Sequence, residues 1–264
     1  MIPSDFIFSQ SSLQSYKNCP RLFELLYLKH LAWPAQKYSD AEKYELDLEA
    51  GKILHQAICR YLLGFDARNI LSNLEAGRDP RLPIWFGNFL GAFPELIEEP
   101  ALAAEYSLTI PFQNYRLMAK FDCITLKDGG PIIYDWKSSA KKPSLTLLEA
   151  SMQTKVYLTA ASSLGEDRSK TLPLIRYWEA NYPQLPLIIQ SDENKLSQYR
   201  ADLAKLIAEI EACEGFALTE QTKRCQYCKY RSYCKRGSNA GSTEDDAAFD
   251  LELPLSLSEA DSET

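Results

Sequence analysis

The sequence predicts an α/β protein with a mixed central sheet flanked by helices. Three observations predict it. Segments that alternate and are rich in strand formers (104–112, 115–126, 132–137, 175–180, 185–190) fall between stretches with helical apolar spacing. One stretch, MAKFDCITLKDGGPIIYDWKSS from Met118 to Ser139, reads as two strands joined by a turn. The chain has 264 residues, 45% hydrophobic and 25% charged, which is ordinary for a globular protein with a sizeable core.

Phe8 to His30 opens on Ser-Gln-Ser-Ser, good capping residues, and continues as an apolar-periodic helix to Leu28. Pro20 breaks or restarts it and leaves Cys19 at the junction. Asp40 to Leu63 reads as a long helix, with Leu48, Ile53, Leu54, Ile58 and Tyr61 at helical spacing. Gly51 inside it costs about 1 kcal/mol, which points to a close approach or a bend. Ala67 to Glu75 and Leu82 to Ile97 are two more helices, separated by Gly77-Arg-Asp-Pro80. Together, residues 31–98 form a helical insertion.

Ala104 to Phe112 and Tyr115 to Leu126 read as strands around a Gln113-Asn114 turn, with Glu105 at the start of the first. Asp128-Gly129-Gly130 is a second turn signal, and Ile132-Ile133-Tyr134 begins the next strand. Asp122 lies on the strand before this turn. Asp135 and Lys137 close the strand after it, two residues apart, so both leave one face. Two carboxylates and a lysine at a strand end are the minimum equipment for metal-assisted phosphodiester hydrolysis. The carboxylates hold a hard divalent cation, and the lysine orients water or neutralises phosphate charge.

Ser144 to Leu164 reads as one helix capped by Ser144, on which Gln153 and Tyr157 share a face at i and i+4. Asp192 caps a last helix that runs to about Cys213. Cys225, Cys228 and Cys234 then form C-x2-C-x5-C in a loop-like stretch with few apolar residues, so a metal is expected to hold it. Three thiolates are one short of the usual four. Cys19 is the best candidate for the fourth, because Cys59 and Cys123 read as core residues and Cys213 as a helix end.

The net charge of −7 is unevenly placed. Residues 242–264 hold eight acids and no Lys or Arg; without them the 36 acids fall to 28, against 29 bases. Lys137 with Lys141 and Lys142, and the run from Lys223-Arg224 to Arg236, are basic clusters compatible with a phosphate backbone. The acidic tail, 238–264, is expected to be disordered. Its centre, Phe249 to Leu257, mixes acids with large apolar residues, as a partner-binding peptide or a solubilising tail would. The start, MIPSDFIFSQSS, lacks the basic and apolar regions of a signal peptide, and no apolar run approaches a membrane span. With seven cysteines that suggest metal or catalysis in a reducing compartment, a cytoplasmic location is expected.

An Asp followed by Asp-x-Lys resembles the PD-(D/E)XK nuclease superfamily. Gly51-x-x-x-His55, Asp122, Asp135-x-Lys137, Gln153-x-x-x-Tyr157 and the cysteines, in that order over about residues 10–237, resemble its RecB-like, iron–sulfur branch. That branch includes the B subunit of the AddAB helicase–nuclease and a CRISPR-associated exonuclease. One departure is Ala119, where the family usually has a glycine three residues before the first metal aspartate.

The resemblance implies a restriction-endonuclease-like core over 1–237. In it, a four-iron four-sulfur cluster on Cys19, Cys225, Cys228 and Cys234 staples the termini together; zinc is the alternative metal. His55, Asp122, Asp135 and the Trp136 carbonyl would coordinate Mg or Mn. Asp122, Asp135 and Lys137 would be catalytic. Gln153 and Tyr157 would contact the site or DNA, and Lys141 and Lys142 would steady phosphates. Glu105 would support the site or face solvent. The implied function is a metal-dependent deoxyribonuclease. Single-strand exonuclease action in DNA repair, recombination or CRISPR adaptation is favoured, with a helicase, integrase or repair-protein partner reached through the tail. Because the chain has no helicase motifs, a stand-alone nuclease or a subunit is expected. The alternative is a non-catalytic DNA-binding or assembly module.

Overall fold

The computed structural model describes residues 2–33, 39–94, 96–99, 102–127, 130–164, 172–185 and 187–237. The acidic tail and the Asp128-Gly129 part of the predicted turn lie outside the described residues.

Strand β1 (Ile7–Ser9) leads into α1 (Gln10–Asn18). Ser9 and Ser12 cap this helix reciprocally, side chain to backbone. Cys19 is extended at its end, and Pro20 occupies the first position of α2 (Pro20–Phe23), where its missing N–H costs nothing. A π-helical turn, Glu24–Leu28, follows. Helices α3 (Ser39–Leu62), α4 (Ala67–Glu75) and α5 (Arg81–Ala92) come next. The long strands β2 (Ala103–Phe112), β3 (Tyr115–Lys127) and β4 (Gly130–Lys137) form the middle of the chain. Then come α6 (Leu145–Ala150), α7 (Met152–Ala161), β5 (Leu174–Glu179), β6 (Leu187–Gln190) and α8 (Glu193–Glu211).

The sheet is mixed: β1 runs parallel to β3 and β4 parallel to β5, while the other pairs are antiparallel. Strand β2 pairs along one side of β3. The other side carries β1 at 116–118 and β4 at 123–127, so 119–122 has no ladder partner there. Helices α1, α7 and α8 cover one face through Leu13, Tyr16, Val156, Leu203 and Ile207. Helices α3, α4 and α5 cover the other through Leu54, Ile58, Ile70, Phe86 and Phe89, against Tyr134, Trp136 and Trp178. Each fully buried side chain of this size contributes about 1.5–3 kcal/mol.

Several expectations change. The helix read over Leu82–Ile97 ends at Ala92, where Phe93 leaves helical geometry, and Phe8 and Ser9 belong to β1 rather than to the first helix. The predicted helix over 144–164 is two helices, because Ser151 leaves helical geometry and caps α7 by accepting from Thr154 N. Ser144 stands at the cap position of α6 but makes no side-chain cap bond. The cysteine stretch also has an apolar anchor that its composition hides. Tyr230 is fully buried with Leu25 and Leu26, and its hydroxyl donates to Leu31 O at 2.8 Å.

Candidate active site

The site forms where β3 and β4 separate. Their ladder ends at Cys123–Tyr134, and the next pair, Asp122 and Asp135, lies beyond it. Asp122 bridges the split with its side chain: Oδ2 accepts from Trp136 N at 2.8 Å. Trp136 is fixed from below, its ring edge-on to Phe89 at 5.0 Å and Phe93 at 5.3 Å. Burying Trp136 on that face turns Asp135 and Lys137 to the opposite one.

His55 reaches the split from α3. Its Nε2 is 2.9 Å from Trp136 O and its Nδ1 is 3.2 Å from Asp122 Oδ1. An imidazolium satisfies both acceptors at once. Burial alone would lower its pKa, but the Asp122 carboxylate outweighs burial and lifts it to about 9. The same pairing, with the Trp136 N–H, holds Asp122 below its usual range against the opposing effect of burial.

Glu105 is the residue whose place the sequence left most open. It faces the same rung as Asp122, between the pairs Ala104–Cys123 and Tyr106–Phe121, and has a left-handed φ of +49°. Both strands change parity there. Leu117, Ala119 and Phe121 enter the first core, whereas Cys123 and Ala104 enter the second. Ligand atoms of His55, Glu105 and Asp122 all lie within 4.8 Å of one another. An imidazole and two carboxylates suit a divalent cation such as Mn or Mg. Glu105 also pairs with Lys120 at 3.2 Å.

Asp135 stands beside this trio, 2% exposed. Lys137 Nζ is 2.9 Å from its Oδ1, and Gln153 Nε2 donates to its Oδ2 at 2.8 Å. Oδ1 takes the Lys137 ammonium as its partner, and its second lone pair leaves it acceptor capacity. Burial pushes the Asp135 carboxyl up, Lys137 opposes this, and Asp122 adds to it. Lys137 also donates to Gln153 Oε1 at 2.8 Å, so one glutamine amide holds both members of Asp-x-Lys. Tyr157 accepts from Gln153 at 3.2 Å and donates to Lys120 O. Gln153 and Tyr157 are 4% and 3% exposed, so they brace the site from inside rather than line a surface path. Lys141 and Lys142 are exposed. Ala119 is buried, and its methyl group packs in the first core.

Sequence reasoning missed Glu179. It ends β5 opposite Lys137, is 1% exposed, and accepts from Ser139 Oγ at 2.7 Å, while its Oε1 has no hydrogen bond. Only the β4–β5 register brings it here, and no local signal marks it. Asn181 next to it donates to Ser139 O at 2.8 Å and accepts from Trp85 Nε1 at 3.0 Å, tying the segment after Lys137 to α5.

Burial raises the Cys225, Cys228 and Cys234 thiols, with Cys19 adding to each, and Cys228 is pushed up to about 11. Among the described residues, no three of these sulfurs lie within 4.8 Å of one another.

A crystal structure from Eubacterium rectale, named as a candidate exonuclease, aligns over 89% of this chain and 89% of its own. Its TM-score is 0.52 at 11% identity, which is a likeness of fold. A second solved structure, SSO0001, covers 90% of each chain at 14% identity with a TM-score of 0.39, too low to support an argument. No curated protein matches the chain. The family model described as PD-(D/E)XK nuclease superfamily matches residues 7–235, from β1 to the residue after Cys234. The restriction-endonuclease-like α/β fold agrees with that match, and the chain belongs to the PD-(D/E)XK nuclease superfamily.

Proposed function

We propose that this chain is a metal-dependent deoxyribonuclease of the RecB-like branch, favouring single-strand exonuclease action. Family membership and the His/Glu/Asp trio support a nuclease that uses a divalent cation and interacts with DNA. The observation that carries the proposal is the meeting of that trio with Asp135-x-Lys137 at the β3–β4 split. His55, Asp122, Asp135 and the Trp136 carbonyl would hold Mg or Mn, with Glu105 beside them. The cation would stabilise charge on the phosphate and lower the pKa of the attacking water.

The remaining work falls to side chains of this chain. Lys137, fixed by Asp135 and Gln153, presents its ammonium to the scissile phosphate or to the water. Tyr157 and Gln153 keep Asp135 from rotating away. Lys141 and Lys142, exposed just beyond, meet the flanking phosphates. Among the described residues no helix is long and apolar enough to cross a membrane.

The cysteine quartet is proposed to hold a four-iron four-sulfur cluster that staples the termini. The matched span includes all four cysteines, and three of the thiols respond to their neighbours. Zinc is the alternative metal, since tetrahedral all-thiolate sites suit both.

The test is cleavage of end-labelled single-stranded DNA in Mn by anaerobically purified protein, beside Asp122→Ala, Asp135→Ala and Lys137→Ala. Loss of cleavage in the variants is expected, and the fate of the label gives polarity. Undiminished cutting by all three would remove this site from the reaction.

A further inference from the structure

The segment that carries three of the cysteines has a surface that the cleavage chemistry does not use. From Thr222 to Gly237 the chain holds six Lys or Arg and no Asp or Glu. Two of the six donate hydrogen bonds into the protein, and the ammonium of a third, Lys229, also lies 5.0 Å over the Tyr230 ring. Arg224 Nη1 donates to Lys17 O at 2.9 Å and Asn18 Oδ1 at 3.0 Å, and Arg231 Nε donates to Arg236 O at 3.0 Å. Lys223, Lys229 and Lys235 are exposed. Tight turns keep these residues close together: Arg231 N donates to Cys228 O, Cys234 N to Tyr230 O and Lys235 N to Ser232 O.

Two aromatic rings sit on this basic segment. Trp33 and Tyr233 meet edge to face, with ring centroids 5.1 Å apart and planes at 72°. Trp33 Nε1 donates to Ser232 Oγ at 3.0 Å, which satisfies the polar edge of the indole and fixes its orientation. Tyr233 is 43% exposed and Trp33 is half-buried. The other tryptophans, Trp85, Trp136 and Trp178, are at most 4% exposed. Fixed aromatic rings among exposed lysines, with no acid in the segment, match what an unpaired nucleotide needs. Its base stacks on a ring and its phosphates meet ammonium groups.

We propose that Trp33 and Tyr233, with Lys229 and Lys235, form a binding surface for single-stranded DNA beside the cysteine quartet. The proposal rests on the reading of the chain as a DNA nuclease, but it concerns how the strand is held, not how it is cut.

The test titrates the full chain with an oligothymidylate of about twenty nucleotides, without divalent metal, and follows tryptophan emission. Because Trp33 is the tryptophan not fully buried, stacking is expected to quench the emission. Anisotropy of a labelled oligonucleotide should show roughly tenfold weaker binding in Trp33→Ala and Tyr233→Ala, and binding near that of the parent in Tyr233→Phe. Unchanged thermal midpoints would establish that these variants remain folded. Unchanged emission of the parent protein at saturating oligonucleotide would overturn the proposal, even if the variants fail to fold. So would affinity within twofold of the parent in folded Tyr233→Ala, or equal quenching by polyglutamate, which would make the surface a general anion patch. Cleavage in Mn is scored separately on the same preparation. Cutting without quenching removes this surface and leaves the nuclease reading; quenching without cutting does the reverse.

Discussion

Glu105 holds a φ of +49° at the third residue of a ten-residue strand, a conformation that costs a residue with a Cβ about 1–2 kcal/mol. The strain is maintained where its carboxylate meets His55 and Asp122, which is where strained backbone gathers in proteins. Glu179 carries a different cost. Burial pushes its carboxyl up to about 7 from an ordinary 4.5, although the Ser139 hydroxyl opposes the shift. The folded chain therefore holds this proton more tightly than the unfolded chain. The stability linked to Glu179 is complete below pH 4.5 and is lost as pH rises through about 7. Glu179→Gln keeps an acceptor oxygen for Ser139 but has no charge to desolvate. Urea unfolding at pH 5 and pH 8 should show the parent losing about 1–3 kcal/mol more than the variant between the two. The raised His55 pKa acts in the same direction in both proteins and cancels in the comparison. Equal losses would refute the assignment.

Among the elements, Gly51 connects packing to chemistry. A Cβ there would stand 3.0 Å from Ser138 Oγ, and Ser138 directly follows Lys137. Alanine should favour the helical backbone by about 1 kcal/mol, which offsets the pressure on the single flexible hydroxyl of Ser138, so Gly51→Ala is expected to fold about as well as the parent. Pressing on Ser138 should displace Lys137 and slow cleavage by roughly tenfold or more. Adding Ser138→Ala removes the contact and should restore the rate. The check is a double-mutant cycle of cleavage rates alongside thermal midpoints; an unimpaired single variant would show that Lys137 does not depend on this contact.

The long elements were legible in the sequence: α3 spans 39–62 where periodicity gave 40–63, and Asp192 caps α8 as read. Asp122 and Asp-x-Lys were legible as a pair because a turn joins their strands. The parity change at Glu105 and Asp122 was not, since it depends on a left-handed residue that is not glycine. Strand β1, three residues long, offered too little alternation to read. The break at Ser151 was hidden because serine, though favoured at a cap, is also tolerated inside a helix, and apolar periodicity continues on both sides of it.

At the scale of the molecule, two cores on opposite faces of the sheet carry the fold, and a third, smaller one joins its ends. That third core changes what removal of the proposed cluster should do. A bond path from Cys19 to Cys225 closes a loop of about 200 residues, a long closure that restricts the unfolded chain strongly. Yet Tyr230, Leu25 and Leu26 already bury one another, and Arg224 and Trp33 bridge the same two segments through hydrogen bonds. Loss of metal should therefore loosen this junction without releasing it. Hydrogen exchange before and after stripping with a chelator and mild oxidant should quicken at 19–33 and 222–236, while β3 and β4 keep their protection. Tyr230→Ala, worth about 3–5 kcal/mol by its lost burial, should free the junction once the metal is gone. Exchange that does not change on stripping would mean that no staple exists. A rise spread evenly over the sheet would mean that the metal supports the whole fold, and that the apolar junction does not hold the ends on its own.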